Sequence, residues 1–154
     1  MSETELAPGS INLHELPLPQ LQAVKQQLEE EIQVLTTSFS KLKQAQVKFY
    51  DAIDSAKKLK SGSEVLVPLT NSLYVSGTID HEDKVIVDVG TGYYIEKTVK
   101  EAQDYYQRKV EYIKGNLLKL EETVNQRQSQ RKVLLQVLQE KMAEAAKVSA
   151  TKSD

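Results

Sequence analysis

The sequence predicts a mostly helical α+β fold: two long helices folded back as an antiparallel coiled coil, with two β-hairpins inserted between them. Three observations predict it. An apolar residue recurs every seven positions at Leu21, Leu28, Leu35, Leu42, Phe49 and Ala56, the spacing that keeps one helix seam on a partner. A second stripe, with steps of three and four, runs through Tyr106, Val110, Ile113, Leu117, Leu120 and Val124, and resumes at Leu134, Leu138 and Ala145. Between the two stripes lie short runs in which apolar and polar residues alternate, as in a half-buried sheet. Composition agrees. At 6% aromatic residues, with no Trp and two Phe, little bulky material is present for a globular core, whereas Gln, Lys, Glu, Leu and Ala abound as in elongated helices. A chain of 154 residues is read as one domain.

Each element can be justified in order. Met1 to Ser10 is acidic and turn-rich without periodicity, so disorder is expected there. Ile11, Leu13, Leu16 and Leu18 form a short apolar segment punctuated by Pro17 and Pro19, and Pro19 suits a first helical residue because its missing N–H would be unpaired anyway. The first helix is placed at about 19–60. Its companion seam is Val24, Ala45, Ala52 and Leu59, with Ile32, Phe39 and Ile53 filling in beside polar Glu31 and Ser38. Ser61-Gly62 supplies a helix stop.

Four runs follow at about 64–96: Val65-Leu66-Val67, Leu73 to Ile79, Val85 to Val89 and Tyr93 to Glu96. Leu73, Val75 and Ile79 fall on one face, as do Val85, Val87 and Val89, and Asp80 to Lys84 is a polar connection. The second helix, about 98–147, opens with Thr98-Val99-Lys100-Glu101, which fits a capping box. Arg127 and Arg131 interrupt its stripe and are read as long stems that pack while their heads reach water. The tail KVSATKSD is expected to fray.

Several function classes find no support. Gly90-Thr91-Gly92 follows a strand-like run, but a dinucleotide fingerprint needs a third glycine where Ile95 stands, and a helix N-terminus where Tyr93-Tyr94-Ile95-Glu96 reads as a strand. No Gly-Lys-Ser/Thr follows either, so the glycines are read as a hairpin corner. A net charge of −2 gives nucleic acid no electrostatic foothold. No apolar run approaches the roughly 20 residues that span a bilayer, and MSETELAPGS is unlike a signal peptide. With no cysteine, disulfides and thiolate sites are out, and a cytoplasmic location is the default, a nuclear role being left open. His14 and His81 lack metal-ligand spacing, and Glu29-Glu30-Glu31 and Glu121-Glu122 read as solvated helix faces, so no catalytic, cofactor or metal residue is assigned.

Some thirty residues in hairpins bury little alone and leave edges that invite other strands. Hairpins from several chains joining one barrel would remove those edges. The residues that would hold such an assembly are Val67, Leu73, Val75, Ile79, Val85, Val87, Val89, Tyr93 and Ile95.

The order long helix, VLVPLTNSLYVSGTI, polar connection, KVIVDVGTGYYIEKT, long helix resembles the alpha-type subunits of prefoldin, most closely those of eukaryotes, over roughly residues 11–147. Ser76 departs from the pattern, which leads one to expect proline before Gly77. The resemblance implies a hexamer of two alpha-type and four beta-type subunits, with a double β-barrel body and coiled-coil tentacles. It implies a co-chaperone that uses no ATP, holds unfolded chains such as actin and tubulin at the tentacle tips, and passes them to the cytosolic chaperonin. Chain direction would then gather Leu13, Leu16, Leu18, Leu21 and Val24 with Leu134, Leu135, Val137, Leu138 and Met142 at the client-binding end, where apolar residues exceed what one helix face can use. The competing reading is a coiled-coil scaffold or adaptor without affinity for unfolded chains, for which four strands have no evident use.

Overall fold

The computed structural model describes residues 12–151. The disorder expected of Met1 to Ser10, and the fraying expected of Lys152 to Asp154, fall outside the described residues. The order of elements is α1 (Leu18–Lys57), β1 (Glu64–Pro68), β2 (Tyr74–Thr78), β3 (Lys84–Gly90), β4 (Tyr93–Thr98) and α2 (Val99–Thr151). It is the predicted α+β, mostly helical arrangement, two long helices with two antiparallel hairpins between them. Helix α2 has 53 residues to the 40 of α1, and residues 147–151, expected to fray, continue as helix.

The chain divides into two compact units: residues up to Phe39 with those from Lys119 on, and Ser40–Leu118. In the first, the start of α1 meets the end of α2. Leu21, Leu28, Leu134, Val137 and Leu138 form its buried cluster, with Leu13, Leu16 and Ile32 packed against it. The antiparallel sense shows in two pairings: Lys141 donates to the Leu16 carbonyl, while Arg127 lies against Glu31. Thr36, Thr37 and Ser38, a polar run inside α1, turn their hydroxyls back onto the carbonyls of Ile32, Gln33 and Val34.

In the second unit, β1 pairs with β2 from Glu64↔Thr78 to Pro68↔Tyr74, and β3 with β4 from Lys84↔Thr98 to Gly90↔Tyr93. Among the described residues each sheet has two strands. Ser76 sits opposite Leu66 in an unbroken register, so serine in place of proline produces no bulge there. The one irregularity lies between Asp88 and Gly90. There the Gly90 N–H donates to Asp88 Oδ1 at 2.9 Å.

Thr91 and Gly92, at φ 51° and 80°, make a two-residue corner with both residues at positive φ, the conformation whose twist matches paired strands. The Gly90-Thr91-Gly92 stretch is a hairpin corner, as read from the sequence. The Ser61-Gly62 stop is corrected. Helix α1 ends at Lys57 in a tightened turn, with Lys58 N bonded to Ser55 O. Gly62, at φ 77°, instead donates to Ile79 O and extends the first hairpin.

The capping box is made in full. Thr98 N donates to Glu101 Oε2 at 3.0 Å, and Glu101 N to Thr98 Oγ1 at 3.2 Å. The Thr98 backbone N–H, and then its side chain, hold the Glu101 carboxyl below its usual range.

Candidate functional site

Side chains alternate across a strand, so register decides which residues share a face. In β1 and β2 one face carries Val65, Val67 and Val75 beside Gly77, whose missing side chain leaves space 3.7 Å from Val67 Cγ2. In β3 and β4 Val85 and Val87 share a face with Ile95, since Val87 pairs directly with Ile95. These are the predicted assembly faces, and the chain covers them unequally. Val87 is 1% exposed and is buried by the chain itself, with Val85, Val89 and Ile79 half-buried. Val67, Leu73, Val75, Tyr93 and Ile95 stand exposed. The Val87 side chain thus belongs to the chain's own core, and the exposed members of the two faces are the ones open to another chain. Alternation reveals a face but not what lies against it. Leu66, Leu69, Tyr74, Ile86 and Tyr94 are exposed too and were missed, several because they sit on the opposite, mixed face beside Ser76, Asp88 and Glu96.

Around the second hairpin, Lys84 Nζ reaches Glu96 Oε1 at 2.9 Å across the strands. That hydrogen bond, with the charge behind it, raises the lysine above its ordinary value. Beneath, Phe49 and Tyr106 lie 5.8 Å apart and Tyr105 meets Tyr106 edge-on at 5.4 Å. Burial pushes the Tyr106 hydroxyl up, with Tyr105 and Asp88 adding to it. Lys109 and Lys97 approach the Tyr105 ring at 5.4 and 6.0 Å.

Within the first unit, the ten residues predicted to meet clients separate into three groups by exposure. Leu21 and Leu134 are 0% and 1% exposed, and Val137 and Leu138 are buried with them. These four close the helix pair, with Leu13 and Leu16 packed against them. Leu13, Leu16, Leu18 and Leu135 are half-buried, whereas Val24 and Met142 are exposed. Val133 and Val148, also exposed, were not singled out.

A groove runs beside this cluster between Leu13, Val24, Leu28 and Leu134, and a polar ladder crosses it. Gln27 donates to Glu31 Oε1, Arg127 Nε lies 3.3 Å from Glu31 Oε2, and Arg127 NH1 donates to Gln130 Oε1. Arg127 is thus paired across the helices while its side chain stays partly exposed, and Arg131 is exposed. The signal was present. Glu31 is the polar intruder in one seam and Arg127 in the other, and an antiparallel register brings them together.

Among the described residues no group of three or more His, Cys, Asp or Glu could hold a metal ion, and no helix is long and apolar enough to cross a membrane. His81 lies at the surface, 3.5 Å from Asp80.

A family model described as Prefoldin subunit matches residues 28–144. The chain is 35% identical over 147 residues to prefoldin subunit 5 of Homo sapiens, covering 94% of this chain and 96% of that one. It is 39% identical over 149 residues to the probable prefoldin subunit 5 of Schizosaccharomyces pombe, with the same 94% and 96% coverage. To prefoldin subunit 5 of Arabidopsis thaliana it is 40% identical over 120 residues, 76% of this chain and 80% of that one. Among solved structures, a chain of filamentous PFD from Methanocaldococcus jannaschii aligns at a TM-score of 0.47 and 26% identity, over 81% of this chain and 98% of that chain. With such identity sustained along a chain built as two hairpins between two long helices, the chain belongs to the family of prefoldin subunits.

Proposed function

We propose that this chain is an alpha-type subunit of a prefoldin hexamer, its two hairpins entering a β-barrel shared with one further alpha-type and four beta-type subunits. The assembly is a cytoplasmic holdase that uses no ATP. It takes up non-native chains of the actin and tubulin class where the start of α1 meets the end of α2, and passes them to the cytosolic chaperonin.

The observation that carries this reading is the pair of two-stranded sheets whose apolar faces remain exposed at Val67, Leu73, Val75, Tyr93 and Ile95. A two-stranded ribbon is marginal by itself and its edges recruit strands. Half-buried Leu18 and Leu135, with exposed Val24 and Met142, supply adaptable apolar contacts at the other unit. Weak contacts of this kind gain strength when several subunits present them together.

The test is light scattering of several unrelated denatured proteins, without nucleotide, in the presence of the reconstituted complex. The complex suppresses their aggregation, and an otherwise assembled complex lacking residues 1–18 and 133–154 of this chain captures less. Indifference of the intact complex to every denatured protein would leave the chain an adaptor, and undiminished capture by the truncated one would move the client site to the barrel.

A further inference from the structure

Residues 12–17 precede α1 without joining it. Asn12 organises them as a tight turn: its carbonyl accepts from Glu15 N at 3.1 Å, its Oδ1 accepts from His14 N at 3.2 Å, and its Nδ2 donates to Glu15 Oε1 at 3.0 Å. The turn sets Leu13 and Leu16, three residues apart, against the cluster of Leu21, Leu28, Leu134, Val137 and Leu138. Lys141, half-buried on α2, donates its ammonium to the Leu16 carbonyl and ties the turn down. Pro17 then hands the chain to α1, its carbonyl accepting from Gln20 N and Leu21 N.

The strap is held lightly compared with what lies under it. Leu13 and Leu16 remain partly exposed, while Leu21 and Leu134 beneath are sealed. Hydrophobic stabilisation scales with area removed from water, so the two strap leucines contribute only part of what full burial would. A short segment outside the helices, tied to α2 through Lys141 and seated by two partly exposed leucines, opens at lower free energy than the core beneath it.

We propose that this strap is a built-in competitor for the client surface. The ligand that the surface takes is a short segment of a non-native chain with two large aliphatic side chains three residues apart and a main-chain carbonyl within reach of Lys141. The identity of that ligand as a client rests on the capture reading above; the competition itself does not. An incoming segment replaces Leu13 and Leu16, and its apparent affinity is reduced by the fraction of chains in which the strap is seated.

The experiment uses the full chain co-assembled with its partner subunits and a fluorescein-labelled peptide copying Asn12 to Leu18, followed by anisotropy. Leu13→Ser with Leu16→Ser frees the surface, and if the strap is seated in nine chains of ten the peptide binds about tenfold more tightly than to the unaltered complex. Lys141→Met added to that double variant removes the donor the peptide carbonyl would use and weakens peptide binding. Unchanged or weaker peptide binding on Leu13→Ser with Leu16→Ser overturns the proposal. A denatured client is titrated alongside. Tight peptide binding without client capture upholds the strap and overturns the holdase reading, and client capture with no gain in peptide binding does the reverse.

Discussion

Val87 and Val75 both belong to the apolar alternation of the hairpins, yet their substitution has opposite consequences. Val87 is 1% exposed and Val75 is 47% exposed in the single chain. Val87→Ala removes two buried methyl equivalents at about 0.8 kcal/mol each, and the cavity left behind brings the cost to about 2 kcal/mol. Val75→Asp places a charge that water still reaches in the free chain, so its cost there is under about 1 kcal/mol. In the proposed shared barrel the same carboxylate is enclosed without a partner, at several kcal/mol. Urea unfolding of the purified chain, followed by circular dichroism, reads the first effect; native mass spectrometry of the co-expressed complex reads the second. The expected result is a lowered midpoint with assembly retained for Val87→Ala, and a near-normal midpoint with assembly lost for Val75→Asp. Normal incorporation of Val75→Asp, or equal destabilisation of the free chain by both, refutes the division between own core and assembly face.

Gly92 sits at φ 80° with open space around it, so Gly92→Ala costs about 1–2 kcal/mol through the backbone alone and lowers the melting temperature without removing a contact. Thr98→Ala removes the N-cap of α2 and costs about 1 kcal/mol in thermal unfolding. Because Thr98 depresses the Glu101 carboxyl from 4.5, the stability this linkage contributes is present above that value and is lost as the pH falls through the depressed one. In Glu101→Gln the melting temperature loses that part of its acid dependence. Glu31 and Arg127 are 39% and 41% exposed in their side chains, so their ion pair contributes no more than about 1 kcal/mol. Replacing both with leucine raises thermal stability by about 1–2 kcal/mol, from apolar area that the seam then buries.

Periodicity made the helices legible, because a seam that repeats at Leu21, Leu28 and Leu35 has to face a partner whatever that partner is. The Thr98–Glu101 box and the Thr91-Gly92 corner were legible for a different reason, since each is closed by residues within a few positions of one another. What was misread depended on distant residues. Helix α1 stops short of Gly62 because that glycine is engaged by Ile79, and no pattern near Gly62 announces it. Val87 and Ile95 are cross-strand partners of similar character, and only tertiary packing decides that one is covered and the other exposed. Where the start of α1 meets the end of α2, the excess of apolar residues around Leu134 was visible. Assigning Leu134, Val137 and Leu138 inward and Met142 outward required the position of α1.

The most direct test of the account is the native mass of the complex that this chain forms when co-expressed with a full set of prefoldin subunits. The account predicts a six-subunit species containing this chain, lost on Val75→Asp. A chain that remains monomeric, or that associates only with itself, would contradict it.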